Sequence, residues 1–209
     1  MPGALDALQS GIQMMIHERG STDPNLMFMY YNQSIVFRQS GRLADAEKAI
    51  AAAELVAAHN SNQYNQSIHS VAFERGRVLI AGKSYAAAIS KLKSTLEKIP
   101  PEEQRLQASA HLALGQALLA THQCDESIKE SGIAYEIRKS VMPKQNWFIY
   151  EAQNNLGNVL SICGQYPAAE PMLTESVEQL RKLRSKDDYK LAEAENNLKL
   201  HRQRSGKMD

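Results

Sequence analysis

The sequence predicts an all-α protein built as a stack of antiparallel helix pairs, and three observations predict it. The composition suits helix: 26 of 209 residues are alanine, against 11 glycines and 7 prolines. A pattern of small and large residues repeats four times at about 42-residue spacing. The helix breakers then fall between the segments that this pattern marks as helical.

The repeat is read from pairs of a small residue and a large apolar one three positions later: Ser34/Phe37, Gly76/Leu79, Gly115/Leu118 and Gly157/Leu160. Twelve residues beyond each small residue comes another, at Ala46, Ala88, Ser127 and Ala169. Leu43, Tyr85, Cys124 and Tyr166 precede these by three positions, and Ile50, Leu92, Ser131 and Leu173 follow by four. Three positions later again stand Ala53, Thr95, Ala134 and Ser176. Small residues on two successive helices let the backbones approach, and large residues one turn away fill the flanking space. A single pair cannot bury its apolar face alone, so the pairs must stack on one another.

Helices are expected at about 4–18, 25–39, 43–59, 66–81, 85–98, 104–121, 124–140, 147–163, 167–184 and 187–203. Gly41, Gly82 and Gly164 sit in the turns within pairs, where a helix end calls for positive φ. Pro24, Pro100, Pro101 and Pro143 separate the pairs. Pro167 and Pro171 lie near a helix start, where a missing N–H costs least. The divisions are a lone helix in 1–24, pairs in 25–65, 66–103, 104–146 and 147–186, and a capping helix with tail in 187–209, all within one solenoid.

The fourth pair carries the pattern most fully, as N-N-L-G-N-V-L-S-I-C-G-Q-Y-P-A-A-E-P-M-L over Asn154 to Leu173. This resembles the tetratricopeptide repeat, and the 42-residue period resembles its longer, kinesin-light-chain type. The resemblance implies a right-handed superhelix. The stretch from Tyr135 to Lys207 is also similar to the tetratricopeptide tails of bacterial serine/threonine kinases, although the chain carries no kinase motif. Gln33 and Arg75 stand where Leu is usual, and Ser131 replaces a large residue, so looser packing is expected there. Leu5–Glu18 reads as the second helix of a pair and Leu191–Arg202 as the first helix of another. These half-repeats suggest a segment of a longer solenoid, with end-to-end self-association of exposed apolar faces as a further expectation.

Composition and motifs bound the function. A net charge of +1 argues against a dedicated nucleic-acid surface, and no apolar run reaches membrane-spanning length. Residues 1–8 lack the basic and apolar regions of a secretion signal, which points to the cytoplasm. Asn32-Gln33-Ser34 and Asn65-Gln66-Ser67 match the glycosylation acceptor pattern, which is accidental without such a signal. Cys124 and Cys163 make no disulfide framework; they fit a reducing compartment and read as small core residues. Ala81-Gly82-Lys83-Ser84 echoes a phosphate loop, but Gly76 is one residue too far upstream and lies in a helix. The six histidines show no metal-ligand spacing, and no nucleophile motif occurs. The chain is therefore expected to be no enzyme and to need no cofactor or metal.

The resemblance implies that the first helix of each pair lines a concave groove that holds a protein or peptide. Carried onto this sequence, its groove positions include Tyr31, Asn32 and Arg38, then Phe73, Glu74 and Arg77, then Gln116, and finally Asn154, Asn155 and Asn158. Carboxamides donate and accept at once, which suits an extended peptide backbone. The carboxylate clamp of chaperone-binding relatives is missing, because Tyr31, Ile35, Ser70 and Glu74 occupy its positions. The asparagine ladder of the kinesin-light-chain type is half present, with Asn32 and Asn155 but Glu74 and Ala113 between.

Overall fold

The computed structural model describes residues 2–60 and 65–206, except for the side chains of Pro2, Ala4 and residues 65–67. The described residues form ten helices: α1 (Pro2–Arg19), α2 (Asn25–Gln39), α3 (Leu43–His59), α4 (Asn65–Ala81), α5 (Tyr85–Leu96), α6 (Gln104–Ala120), α7 (Cys124–Val141), α8 (Trp147–Ile162), α9 (Tyr166–Leu183) and α10 (Tyr189–Arg204). The expected boundaries hold to within two residues at every described end. The tail at 207–209 and the side chains of the glycosylation match at 65–67 lie outside the described residues. The helices pack into two compact units, Met1–Ile99 and Pro100–Asp209.

Within each unit the pairs are those the repeat predicts: α2 with α3 and α4 with α5, then α6 with α7 and α8 with α9. The small residues do what their size permits. A Cβ added at Gly76 would fall 2.6 Å from Leu92 Cδ2, and one at Gly157 would fall 2.8 Å from Leu173 Cγ. At Gly115 it would meet Ser131 Oγ at 2.5 Å, so the serine in place of a large residue marks a close approach rather than a loose joint. Two hydroxyls bind across the same seams: Ser34 Oγ donates to the Ala46 carbonyl at 3.2 Å and Ser127 Oγ to the Gly115 carbonyl at 2.8 Å. Arg75 replaces the usual Leu by reaching Glu47 on α3 at 2.6 Å.

The arrangement of the pairs sets their curvature. The first helices of successive pairs touch, α2 to α4, α6 to α8 and α8 to α10. The backbones of the second helices, α3 and α5 or α7 and α9, stay apart among the described residues, and α3 and α5 meet only through long side chains such as Lys91, whose Nζ lies 2.8 Å from Glu54 Oε1. A cleft of about 300 Å³ opens between α3 and α5 over α4, walled by Ala57 and floored by Ile68, Val71 and Ala72. Each unit therefore bends toward its first helices. The lone end helices follow the same rule: α1 packs on α2 as a second helix would, and α10 packs on α8 and α9 as a first helix would.

Three expectations need correction. In the turns within pairs positive φ falls at Gly41, Lys83, His122 and Gly164, so in the second pair the left-handed residue is Lys83 and not Gly82. These four positions each lie seven residues beyond the repeat's first small residue, and the turn geometry follows that register whether or not glycine is there. Pro171 lies inside α9 rather than near its start. Its missing N–H would have bonded the residue 167 carbonyl in the first turn. Finally, Cys124 and Cys163 are not separate core residues but form a disulfide, with Cα atoms 5.7 Å apart. Residues about one repeat apart lie side by side in stacked pairs, and these two are 39 apart.

Candidate functional site

In each unit the residues carried over as groove positions lie on the first helices, α2 and α4 or α6 and α8. In the first unit Asn32 is exposed and Tyr31 half-buried on α2. Arg38, one helix turn beyond Ser34, points across to α4 and donates from Nε to Glu74 Oε1 at 2.6 Å. Glu74 is fully buried, and Arg77 Nη1 lies 3.6 Å from its other oxygen. The Arg77 guanidinium also covers the Phe73 ring at 5.6 Å, and Phe73 itself is buried. Burial, reinforced by the Glu74 charge, pushes the Tyr31 hydroxyl above its ordinary value, so it remains a donor at neutral pH. Helical spacing thus gathers Tyr31, Arg38, Glu74 and Arg77, with Glu74 and Phe73 supporting the face from within.

In the second unit Gln116 is exposed on α6 and donates from Nε2 to Asn155 Oδ1 on α8 at 3.2 Å. Asn155 Nδ2 donates to the Glu151 carbonyl at 2.9 Å. Asn158 is half-buried on the same helix. Asn154 differs. It is 3% exposed, and its Nδ2 donates to Ser176 Oγ at 2.9 Å and faces the Ala194 carbonyl at 3.5 Å. Its Oδ1 accepts from Asn197 Nδ2 at 2.8 Å. This side chain is spent on joining α8, α9 and α10.

Residues that the sequence reading missed lie beside these. Arg138 on α7 is 4% exposed, and its Nη1 donates to the Phe148 carbonyl at 3.0 Å and to Glu151 Oε2 at 2.7 Å. Lys190 Nζ lies 2.9 Å from Glu151 Oε1. Burial works to raise the Glu151 carboxyl, but the two cations outweigh it and hold it below the ordinary carboxylate range. The legible signal was Asn196-Asn197-Leu198, which repeats Asn154-Asn155-Leu156 after 42 residues and marks α10 as a further first helix.

One constellation resembles a catalytic triad in composition alone. His201 Nδ1 lies 3.0 Å from Ser161 Oγ, and its Nε2 lies 3.1 Å from Glu170 Oε2. Both Ser161 and His201 are fully buried, so no acyl substrate can reach that hydroxyl. The trio instead fastens α10 to α8 and α9. Among the described residues no group of three His, Cys, Asp or Glu side chains is placed to hold a metal ion, and no helix is long and apolar enough to cross a membrane.

No known family profile matches the chain, and no curated protein matches it in sequence. Solved structures do match its fold. A Podosopora anserina protein described as a putative kinesin light chain with nearly identical TPR-like repeats superposes with a TM-score of 0.69 at 15% identity, covering 88% of each chain. BtubC (BKLC) from P. vanneervenii superposes with a TM-score of 0.75 at 13% identity, covering 98% of this chain and 83% of its own. The chain has a tetratricopeptide-like repeat fold. The apo form of RapI reaches a TM-score of 0.71 at 15% identity over 97% of this chain, which corresponds to 56% of RapI. The tetratricopeptide-like fold explains why the first helices converge and the second helices diverge.

Proposed function

We propose that this tetratricopeptide-like chain is a non-catalytic protein-binding module, with the first-helix faces of its pairs as the contact surface. The observation that carries this reading is the division of labour on those faces. Glu74, Phe73 and Asn154 are buried and spend their groups on the scaffold, whereas Asn32 and Gln116 are exposed and Tyr31, Asn155 and Asn158 half-buried. The second unit presents a row of carboxamides from α6 and α8 that can pair with a peptide backbone in either polarity. The first unit offers Tyr31 with the Arg38 and Arg77 cations, chemistry suited to an aromatic or acidic side chain. Several modest contacts of this kind give protein affinity with a few dominant positions. The kinesin-light-chain and BtubC neighbours have the same fold at low identity, which supports a scaffold role without naming a partner. A regulatory tail of a bacterial signalling kinase rests on sequence resemblance alone.

Affinity capture from the source cell's lysate tests the reading, comparing wild type with a Gln116→Ala, Asn155→Ala, Asn158→Ala variant. The expected result is a protein retained by wild type and lost by the variant, with melting temperatures alike to within about 2 °C. Equal capture by both would move binding off these faces.

A further inference from the structure

The disulfide sits at an informative place in the stack. Cys124 is the first residue of α7, two beyond the left-handed His122, and Cys163 is the C-cap that follows α8, one before the left-handed Gly164. Each cysteine therefore marks the tight turn within its pair, and the bond ties the α6–α7 turn to the α8–α9 turn. Both residues are half-buried. The same joint is crossed on the first-helix face by the Gln116–Asn155 hydrogen bond, and between α7 and α8 by Arg138 reaching Phe148 and Glu151. In a stack of repeats each pair contacts only its neighbours, so one joint sets the angle between the surfaces on either side of it. The covalent tie at the turn edge therefore acts beside the α7–α8 packing, the Arg138 bonds and the Gln116–Asn155 hydrogen bond, and it is the only covalent restraint among those described.

We propose that Cys124 and Cys163 form a reversible thiol–disulfide site that fixes the angle between the third and fourth helix pairs when oxidised and releases it when reduced. The chemistry balances through ordinary exchange. One thiolate attacks a low-molecular-weight disulfide of the glutathione class, giving a mixed disulfide and one free small thiol. The second cysteine thiolate then displaces the other small thiol and forms the Sγ–Sγ bond. The two cysteines together lose two electrons and two protons, and the small disulfide becomes two thiols. Reduction runs the same steps backward. Half-burial at a turn leaves the sulfurs open to this attack, unlike a bond sealed in a core.

The test uses the whole chain in a series of reduced and oxidised glutathione mixtures, with thiol alkylation and intact mass to count free cysteines. The expected result is a crossover within the series from no alkylated cysteine to two. Thiols that stay free in fully oxidised glutathione would overturn the bond. A bond that persists in fully reduced glutathione would overturn its reversibility and mark a permanent staple. Thermal melting supplies the structural readout. Reduction lowers the wild-type midpoint by about 5–15 °C, as expected for cutting a cross-link that closes a loop of this length. The Cys124→Ser, Cys163→Ser variant melts near the reduced wild type and ignores reductant. Hydrogen exchange completes the set: faster exchange at the α6–α7 and α8–α9 turns on reduction supports release of the joint, and unchanged exchange there overturns it. Reductant acting on wild type needs no substitution, so a poorly folding variant would not blunt the result.

Discussion

Asn154 and Asn155 are neighbours in the chain with opposite fates, and the difference is one helical step of about 100°. Asn155 turns toward α6 and stays half-buried, while Asn154 turns into the seam with α9 and α10. Asn154→Ala strips Ser176 of a donor and Asn197 of an acceptor inside that seam. It should cost about 1–3 kcal/mol, the penalty for orphaned buried polar groups. Urea denaturation measures this, and an unchanged midpoint would contradict the buried placement. Sequence reading put both residues on the groove because an asparagine pair on a first helix carries no mark of which amide faces inward. Burial of a polar group is decided by its partners, and Ser176, Ala194 and Asn197 lie 22 to 43 residues away.

Among elements, the turns within pairs were legible as turns but not to the residue. Four left-handed positions keep one register, and glycine fills only two of them, Gly41 and Gly164. Lys83 and His122 hold φ of 58° and 61°, a region that costs an L-residue about 1–2 kcal/mol. Part of that is offset by the backbone entropy a glycine would lose, so Lys83→Gly and His122→Gly should each stabilise the chain by about 0.5–1 kcal/mol. Differential scanning calorimetry checks the sign, and a lowered midpoint in both would mean that side-chain contacts outweigh the strain. Gly82 misled because it sits beside the position that needs it. In the structure Gly82 caps α4 by donating to the Val78 carbonyl at 2.9 Å, while Lys83 makes the bend.

Across the molecule, ion pairing in the first unit gathers at Glu74, with Arg38 and Arg77 beside it. The second unit concentrates it at Glu151, held by Arg138 on α7 and Lys190 on α10. Because the folded carboxyl lies below its unfolded value, its contribution is fully present above the ordinary carboxylate range. It is lost as pH falls through the depressed folded value. Glu151→Gln should therefore cost about 1–3 kcal/mol at neutral pH, since it leaves the buried Arg138 guanidinium without its counter-charge. Melting curves from about pH 7 down to about pH 3 should show wild type converging on the variant as the carboxyl protonates. A gap that stays constant over that range would assign the effect to packing.

What could be read from residue order was everything governed by local period and size. The ten helices, their pairing and the antiparallel seams at Gly76, Gly115 and Gly157 all follow from helical spacing and from which side chains are small. The chain order alone also placed α1 and α10 as half-pairs, because an amphipathic helix keeps its repeat phase even without its partner. Only tertiary packing decided which polar groups are buried and which cysteines meet. Glu74 closes on Arg38 36 residues away, Asn154 on Asn197 43 away and Cys124 on Cys163 39 away. Separations near one repeat become neighbours only when the pairs stack, and the rotation of each stacked pair chooses the partner. That rotation depends on every seam side chain together, which no short window of sequence contains.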